Sequence, residues 1–192
     1  IYPCCRGTHT GLDTMFQLLQ RYPVPAAEVA SVECGTDPHS ATGLFYHNPQ
    51  TSLEAKFSLE YCLAAALVDR QVGLRQFTEE RLWDPQIRDL VGKVHVFSHP
   101  KYEKSRDFAA EITVKLRDGT SYSHLIHRKK SDVPPHMEWD ELLAKFKDCA
   151  SLALPPQVVG CLAATLPEIE AVDNIGTVME MALNGVRAGS VS

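Results

Sequence analysis

Hydrophobic positions fall into two periods along this chain. Leu12, Met15, Phe16 and Leu19 recur at helical spacing, which predicts a helix from Thr10. Asp13, three residues on, gives that start the look of a capping box. Pro23 and Pro25 end it. Residues 27–34 alternate, Ala30, Val32 and Cys34 against Ser31 and Glu33, which predicts a strand. Residues 35–50 read as a polar loop carrying Leu44, Phe45 and Tyr46 in its middle. Thr51 or Ser52 caps a helix expected over 53–68, apolar on nearly every side and therefore buried on more than one. A more polar helical stretch follows over 78–91, with Asp84 as N-cap and Pro85 at the first helical position.

The second half begins with a short strand at 94–97. Phe108–Leu116 is the clearest strand, Phe108, Ala110, Ile112, Val114 and Leu116 alternating strictly with their neighbours. Asp118-Gly119 is a hairpin turn, and 120–128 returns antiparallel. Residues 131–135 read as a linker and 138–149 as a helix packing Leu142, Leu143 and Phe146. Pro155-Pro156 marks a boundary, followed by helices at 158–166 and 175–183. Strands and helices do not alternate as βαβ units. The expected class is α+β: a small antiparallel-sheet domain with packed helices over 1–152, then an all-helical tail over 153–192.

Composition narrows the function classes. The 192 residues are 44% apolar with a net charge of −5, enough for a buried core and too acidic for a nucleic-acid partner. No apolar run has the length of a membrane span. Ile1-Tyr2-Pro3 is no signal peptide, and the chain is expected to begin inside a longer polypeptide. Six cysteines, Cys4, Cys5, Cys34, Cys62, Cys149 and Cys161, form no CxxC pair and no zinc spacing, and point to a reducing, cytoplasmic compartment. Cys62, among Leu63, Ala64, Ala65 and Ala66, reads as a small core residue.

Two stretches carry a resemblance. One is Tyr2-Pro3-Cys4-Cys5-Arg6-Gly7-Thr8-His9 with the helix that holds Asp13. The other is Asn48-Pro49-Gln50 followed by 54–67, EAKFSLEYCLAAAL. Asp84-Pro85, the Arg117-Asp118-Gly119 hairpin and 139–146 follow in order. As an ordered set, over roughly residues 1 to 150, these resemble the C-terminal half of the MmgE/PrpD family. The resemblance implies an α+β lid closing over a larger, N-terminal helical domain that this sequence lacks, with final helices that return to that domain. It implies no metal or organic cofactor, a homodimer when full-length, and a small di- or tricarboxylate substrate. The family includes 2-methylcitrate dehydratase, cis-aconitate decarboxylase and iminodisuccinate epimerase. A hydro-lyase resembling 2-methylcitrate dehydratase is the first expectation, with epimerase or decarboxylase chemistry next. The alternative is a lid or interaction module without activity of its own.

Candidate chemistry clusters at the N-terminus. The family often places an acid/base histidine where Cys5 stands here, with His9 four residues later. A thiolate beside a cation such as Arg6 moves protons as an imidazole does. Packing for Cys4 and Cys5 and a helix-terminal role for His9 are the plainer alternative. Arg6 offers a planar fork for a carboxylate, or a surface ion pair. The resemblance places a site tyrosine at Tyr46, whose plainer role is to anchor its loop with Leu44 and Phe45. Tyr61 reads as core, Lys56 as an extended surface-reaching side chain. His124 and His127, three apart on a strand, face opposite sides and make a poor metal pair. His95, His99 and His136 are scattered, and Lys129-Lys130 reads as a solvated turn.

Overall fold

A computed structural model of the chain describes residues 1–104, 107–129 and 137–189. The chain divides into two compact units, Ile1–Val133 and Pro134–Ser192. The division precedes the Pro155-Pro156 pair because the helix at 139–150 packs with the helices after it. The linker expected at 131–135, His136 and Lys130 lie outside the described residues.

The first unit is a four-stranded sheet with helices on it. In chain order it runs α1 His9–Arg21, β1 Val29–Thr36, α2 Pro38–Gly43, α3 Ser52–Ala55, α4 Leu59–Asp69, α5 Glu79–Leu82, α6 Pro85–Val91, β2 Val94–Ser98, β3 Phe108–Leu116 and β4 Ser121–Arg128. The sheet order is β2-β1-β3-β4. The α+β class holds. Two of its ladders, β1–β3 and β3–β4, are antiparallel, while β1–β2 is parallel, so the sheet is mixed. The hairpin forms where alternation and turn chemistry agree, with Gly119 at φ +89°, a conformation that a side chain disfavours. In β1 a bulge between Val29 and Ser31 shifts the pleat. Val29 joins Val32 and Cys34 inside, and Ala30, expected inside, is exposed.

α1 starts at His9, and Thr8 makes no side-chain cap. Asp13 closes no capping box. It accepts from the Tyr2 hydroxyl (2.7 Å) and from Arg128 Nη1 (2.6 Å), tying the N-terminal segment and β4 to α1. Leu12, Met15 and Leu18 are fully buried, while Phe16 and Leu19 are half-buried.

The helix expected over 53–68 is two helices. Ser58 takes an extended conformation and accepts from Tyr61 N (3.1 Å), which starts α4 afresh. A serine hydroxyl competes for backbone donors, so it favours a cap over a helix interior. From Leu59 to Leu67 every residue is buried, with Glu60 at 4% exposure the least complete. α1 packs on one flank of α4 and α6 on another, and β2 also meets it. Gly11 permits the α1–α4 approach: a Cβ there would lie 2.8 Å from Leu59 Cδ1. The stretch expected at 78–91 likewise splits, because Asp84 caps α6 through Gln86 N and Ile87 N with Pro85 at its first position.

The second unit holds α7 Trp139–Ala150, α8 Pro156–Thr165 and α9 Ile175–Gly189. α8 packs against both of the others. No residue of α7 is buried, and Leu142, expected to pack, is 41% exposed.

Burial of a leucine contributes about 1.5–3 kcal/mol, and deleting it leaves a cavity as well. Leu63→Ala is therefore expected to destabilise the chain by about 2–5 kcal/mol. Leu53→Ala, at 66% exposure, is expected to stay within about 0.5 kcal/mol of the parent. Denaturant unfolding of both variants checks this, and equal losses would contradict the placement of α4.

Candidate active site

The N-terminal segment is irregular but fixed at its backbone. Cys5 N donates to the Lys56 carbonyl (2.8 Å), just ahead of α4. The Cys5 carbonyl accepts from Thr8 N (2.9 Å) and Thr8 Oγ1 (2.8 Å), which closes the 3-10 turn Arg6–Thr8. Both polar backbone groups of Cys5 are thus satisfied, and its side chain has one defined place to emerge. The Tyr2 ring stacks on Phe16 and meets the His9 ring edge-on. Burial and the Asp13 carboxylate push the Tyr2 phenol above its ordinary value, so it serves as a structural donor to Asp13.

The loop after β1 is clamped from three sides. Asp37 caps α2 by accepting from Ser40 N (3.0 Å) and Ser40 Oγ (2.9 Å). Leu44 is buried, close enough to Gly7 that a Cβ there would sit 3.4 Å from it. His47 Nδ1 lies 2.6 Å from Glu60 Oε1 on α4. Arg88 of α6 donates to the Pro49 carbonyl (2.9 Å) and to Asn48 Oδ1. Between these anchors Phe45 and Tyr46 project, their rings 4.6 Å apart.

These two segments face each other across a cleft of about 380 Å³ lined by Cys5, Tyr46, Phe45, Leu53, Glu54 and Phe57, with Gly43 and Thr51. That volume lies in the range of small-molecule sites. Cys5 and Tyr46 are thus brought together. Arg6 and His9 are not among the lining residues. Arg6 is exposed, with its guanidinium 5.7 Å from the Phe108 ring. His9 opens α1 and turns inward, its Nε2 3.4 Å from the Cys4 carbonyl. Of the described lining residues, Cys5, Tyr46 and Glu54 bring ionisable groups, and none brings a cation. Glu54 is committed in part to Gln50 N (2.7 Å). Tyr61 is core, with its hydroxyl donating to the Gln76 carbonyl, and Lys56 reaches over the Phe77 ring. His124 turns to Gln17 and His127 to Asp107, on opposite sides of β4. Among the described residues no three His, Cys, Asp or Glu side chains converge as a metal set, and no helix is long and apolar enough to cross a membrane.

Two features have no local signal in the sequence. Cys62 packs in the core as expected, but its thiol also influences that of Cys4. Thr8 Oγ1 is 3.0 Å from Cys4 Sγ. The Cys62 thiol, with His9 and Thr8, holds the Cys4 thiol well below its ordinary value, while burial and Cys4 push Cys62 up. The other is Glu60, a carboxylate inside the apolar run of α4. It is reached by His47 on one oxygen, while Oε2 has no hydrogen-bond partner among the described residues.

Comparison with known families matches residues 2–163 to the MmgE/PrpD C-terminal domain. The chain belongs to the MmgE/PrpD family. Its relatives include the cis-aconitate decarboxylase of Aspergillus terreus (strain NIH 2624 / FGSC A1156), 25% identical over 78% of this chain and 33% of the relative. The cis-aconitate decarboxylases of Mus musculus and Homo sapiens are each 26% identical over 66% of this chain and 26% of theirs. The chain thus spans about a third or less of the length of these curated relatives. The family match covers both walls of the cleft and all of the sheet.

In this MmgE/PrpD domain the lowered Cys4 thiol is expected to ionise before the raised Cys62 thiol. A lowered thiol pKa means that thiolate is already present at a pH where an ordinary thiol, near 8.5, stays protonated. Iodoacetamide labelling of Cys4, followed by peptide mass against pH, is expected to rise with a midpoint well below about 8.5. Cys62→Ala removes the largest cause and moves the midpoint up. A midpoint at the ordinary value in the parent chain would contradict the assignment.

Proposed function

We propose that the chain is the lid-bearing C-terminal part of a cofactor-independent MmgE/PrpD lyase acting on a small di- or tricarboxylate, with Cys5 and Tyr46 as the proton-handling groups on this side of its site. The observation that carries the reading is their shared cleft, sized for such a ligand. Loss of carbon dioxide or of water from a polycarboxylate moves a proton at a carbon beside a carboxylate. A thiol and a phenol at hydrogen-bond reach of that carbon and its oxygens supply such a transfer. The decarboxylase relatives favour loss of carbon dioxide over the dehydration expected from sequence alone.

A polyanion needs positive partners, and none lines the described cleft. Arg6, one residue from Cys5 and resting against the Phe108 ring, is a cation able to swing toward a carboxylate. The opposing wall of the site, with its own cations and acid/base groups, belongs to the rest of the full-length enzyme. The apolar side chains that the second unit exposes, Leu152, Ile175, Met179 and Leu183 among them, suit helices that return to that part.

Turnover of cis-aconitate, methylcitrate and iminodisuccinate by the full-length protein tests the reading. Release of carbon dioxide from cis-aconitate is expected, with no turnover by the 192-residue chain alone. Cys5→Ala and Tyr46→Phe are each expected to lower kcat/KM by about 10²-fold or more, with melting temperatures close to the parent. Parent-like turnover in both variants would show that these residues only pack.

A further inference from the structure

Tyr46 and His47 are neighbours in the chain, yet they serve different cavities. Tyr46 lines the cleft with Cys5, whereas His47 lines a second cavity of about 310 Å³ with Glu60, Val94, His95 and Val96. The two cavities share no lining residue. His47 Nδ1 donates to Glu60 Oε1 at 2.6 Å, since a carboxylate oxygen accepts. The Glu60 side chain is 5% exposed and that of His47 63%. Glu60 Oε2 has no partner among the described residues, so the carboxylate leans on His47. A buried carboxylate without a partner is strongly disfavoured, and the fold therefore holds this contact closed.

Among the described residues no backbone–backbone hydrogen bond holds residues 45–48. Leu44 is buried two positions before Tyr46, and Arg88 holds Asn48 and Pro49 after it. Between these anchors the His47 side chain ties the loop to α4. We propose that His47 and Glu60 are positioning residues for the reaction: they set the Tyr46 phenol at the place in the cleft where it meets substrate, without touching substrate themselves. This rests on the reading of Tyr46 as a proton-handling group.

One peptide bond separates the tethered residue from the phenol, so slack at His47 passes directly to Tyr46. Proton transfer needs hydrogen-bond reach, and a misplacement of about 1 Å is enough to slow it strongly. Binding suffers less, because Cys5, Leu53 and Phe57 line the cleft from other segments of the chain. The loss therefore falls on kcat and not on KM. The fold tolerates the loss of the imidazole. His47 is exposed, and the cavity beside Glu60 has room for water to reach the carboxylate in its place.

The test measures kcat and KM of the full-length enzyme on whichever of the three carboxylates it turns over, with a thermal melt of each variant. His47→Ala is expected to lower kcat about 10-fold or more, with KM and melting temperature close to the parent. His47→Asn places an amide N–H near the former Nδ1 and is expected to recover most of that rate. On a Tyr46→Phe background His47→Ala is expected to add no further loss, because its effect runs through the phenol. A parent-like kcat in His47→Ala beside a slow Tyr46→Phe overturns the proposal and leaves the reading of Tyr46 standing. So does a loss that His47→Asn fails to recover, or one that repeats in full on the Tyr46→Phe background. A Tyr46→Phe enzyme at the parent rate, or a parent that turns over none of the three, removes both.

Discussion

The burial of α4 from Leu59 to Leu67 is the constraint on which the rest of the first unit depends. Its nine residues from Leu59 to Leu67 have no solvent side, so the helix has one position and one rotation. Its N-terminal end then acts as a fixed post for both walls of the cleft. The Lys56 carbonyl, just ahead of it, receives Cys5 N. Glu60 holds His47 and with it the loop that carries Tyr46. Glu60 is the unusual element. A carboxylate 4% exposed is costly unless paired, and its pairing to a loop histidine makes loop position and helix burial one problem.

The cleft built this way is one-sided in its chemistry. It offers a thiol, a phenol, the Glu54 carboxyl and an apolar wall of Phe45, Leu53 and Phe57, and no cation among its described lining. Such a surface can orient a small ligand and handle a proton, but it does not by itself neutralise several carboxylates. The proposed site, divided between two bodies of one enzyme, would account for both the placement of Cys5 and Tyr46 and the lack of a charge clamp beside them. It also fits a chain that covers only a third or less of its curated relatives.

Much of the fold was legible where two independent signals agreed. The β3–β4 hairpin had strict alternation and an Asp-Gly turn, and the start of α6 had Asp84 before Pro85. The misread elements lacked a local cause. The break between α3 and α4 rests on one serine within a continuous apolar run. Asp13 imitates a capping residue but serves Tyr2 and Arg128, partners far off in sequence. The parallel β1–β2 pairing leaves no local mark, and the bulge at Ala30 reverses the inward face of only part of β1. In the site, Cys5 and Tyr46 came from the family resemblance, and the structure places them on one cleft. Arg6, chosen as a carboxylate fork, and His9, chosen as an acid/base imidazole, do not line the cleft, because a 3-10 turn and then α1 rotate each successive side chain away.

In the proposed function, α4 sets Cys5 and Tyr46 as a pair around one small-carboxylate site. A crystal structure of the full-length enzyme soaked with cis-aconitate tests this most directly. The account predicts the ligand in the cleft, with Cys5 Sγ and the Tyr46 hydroxyl each within hydrogen-bond reach, about 2.6–3.2 Å for an oxygen partner and somewhat more for sulfur. A ligand bound elsewhere, or in this cleft with Tyr46 turned away from it, would contradict the account.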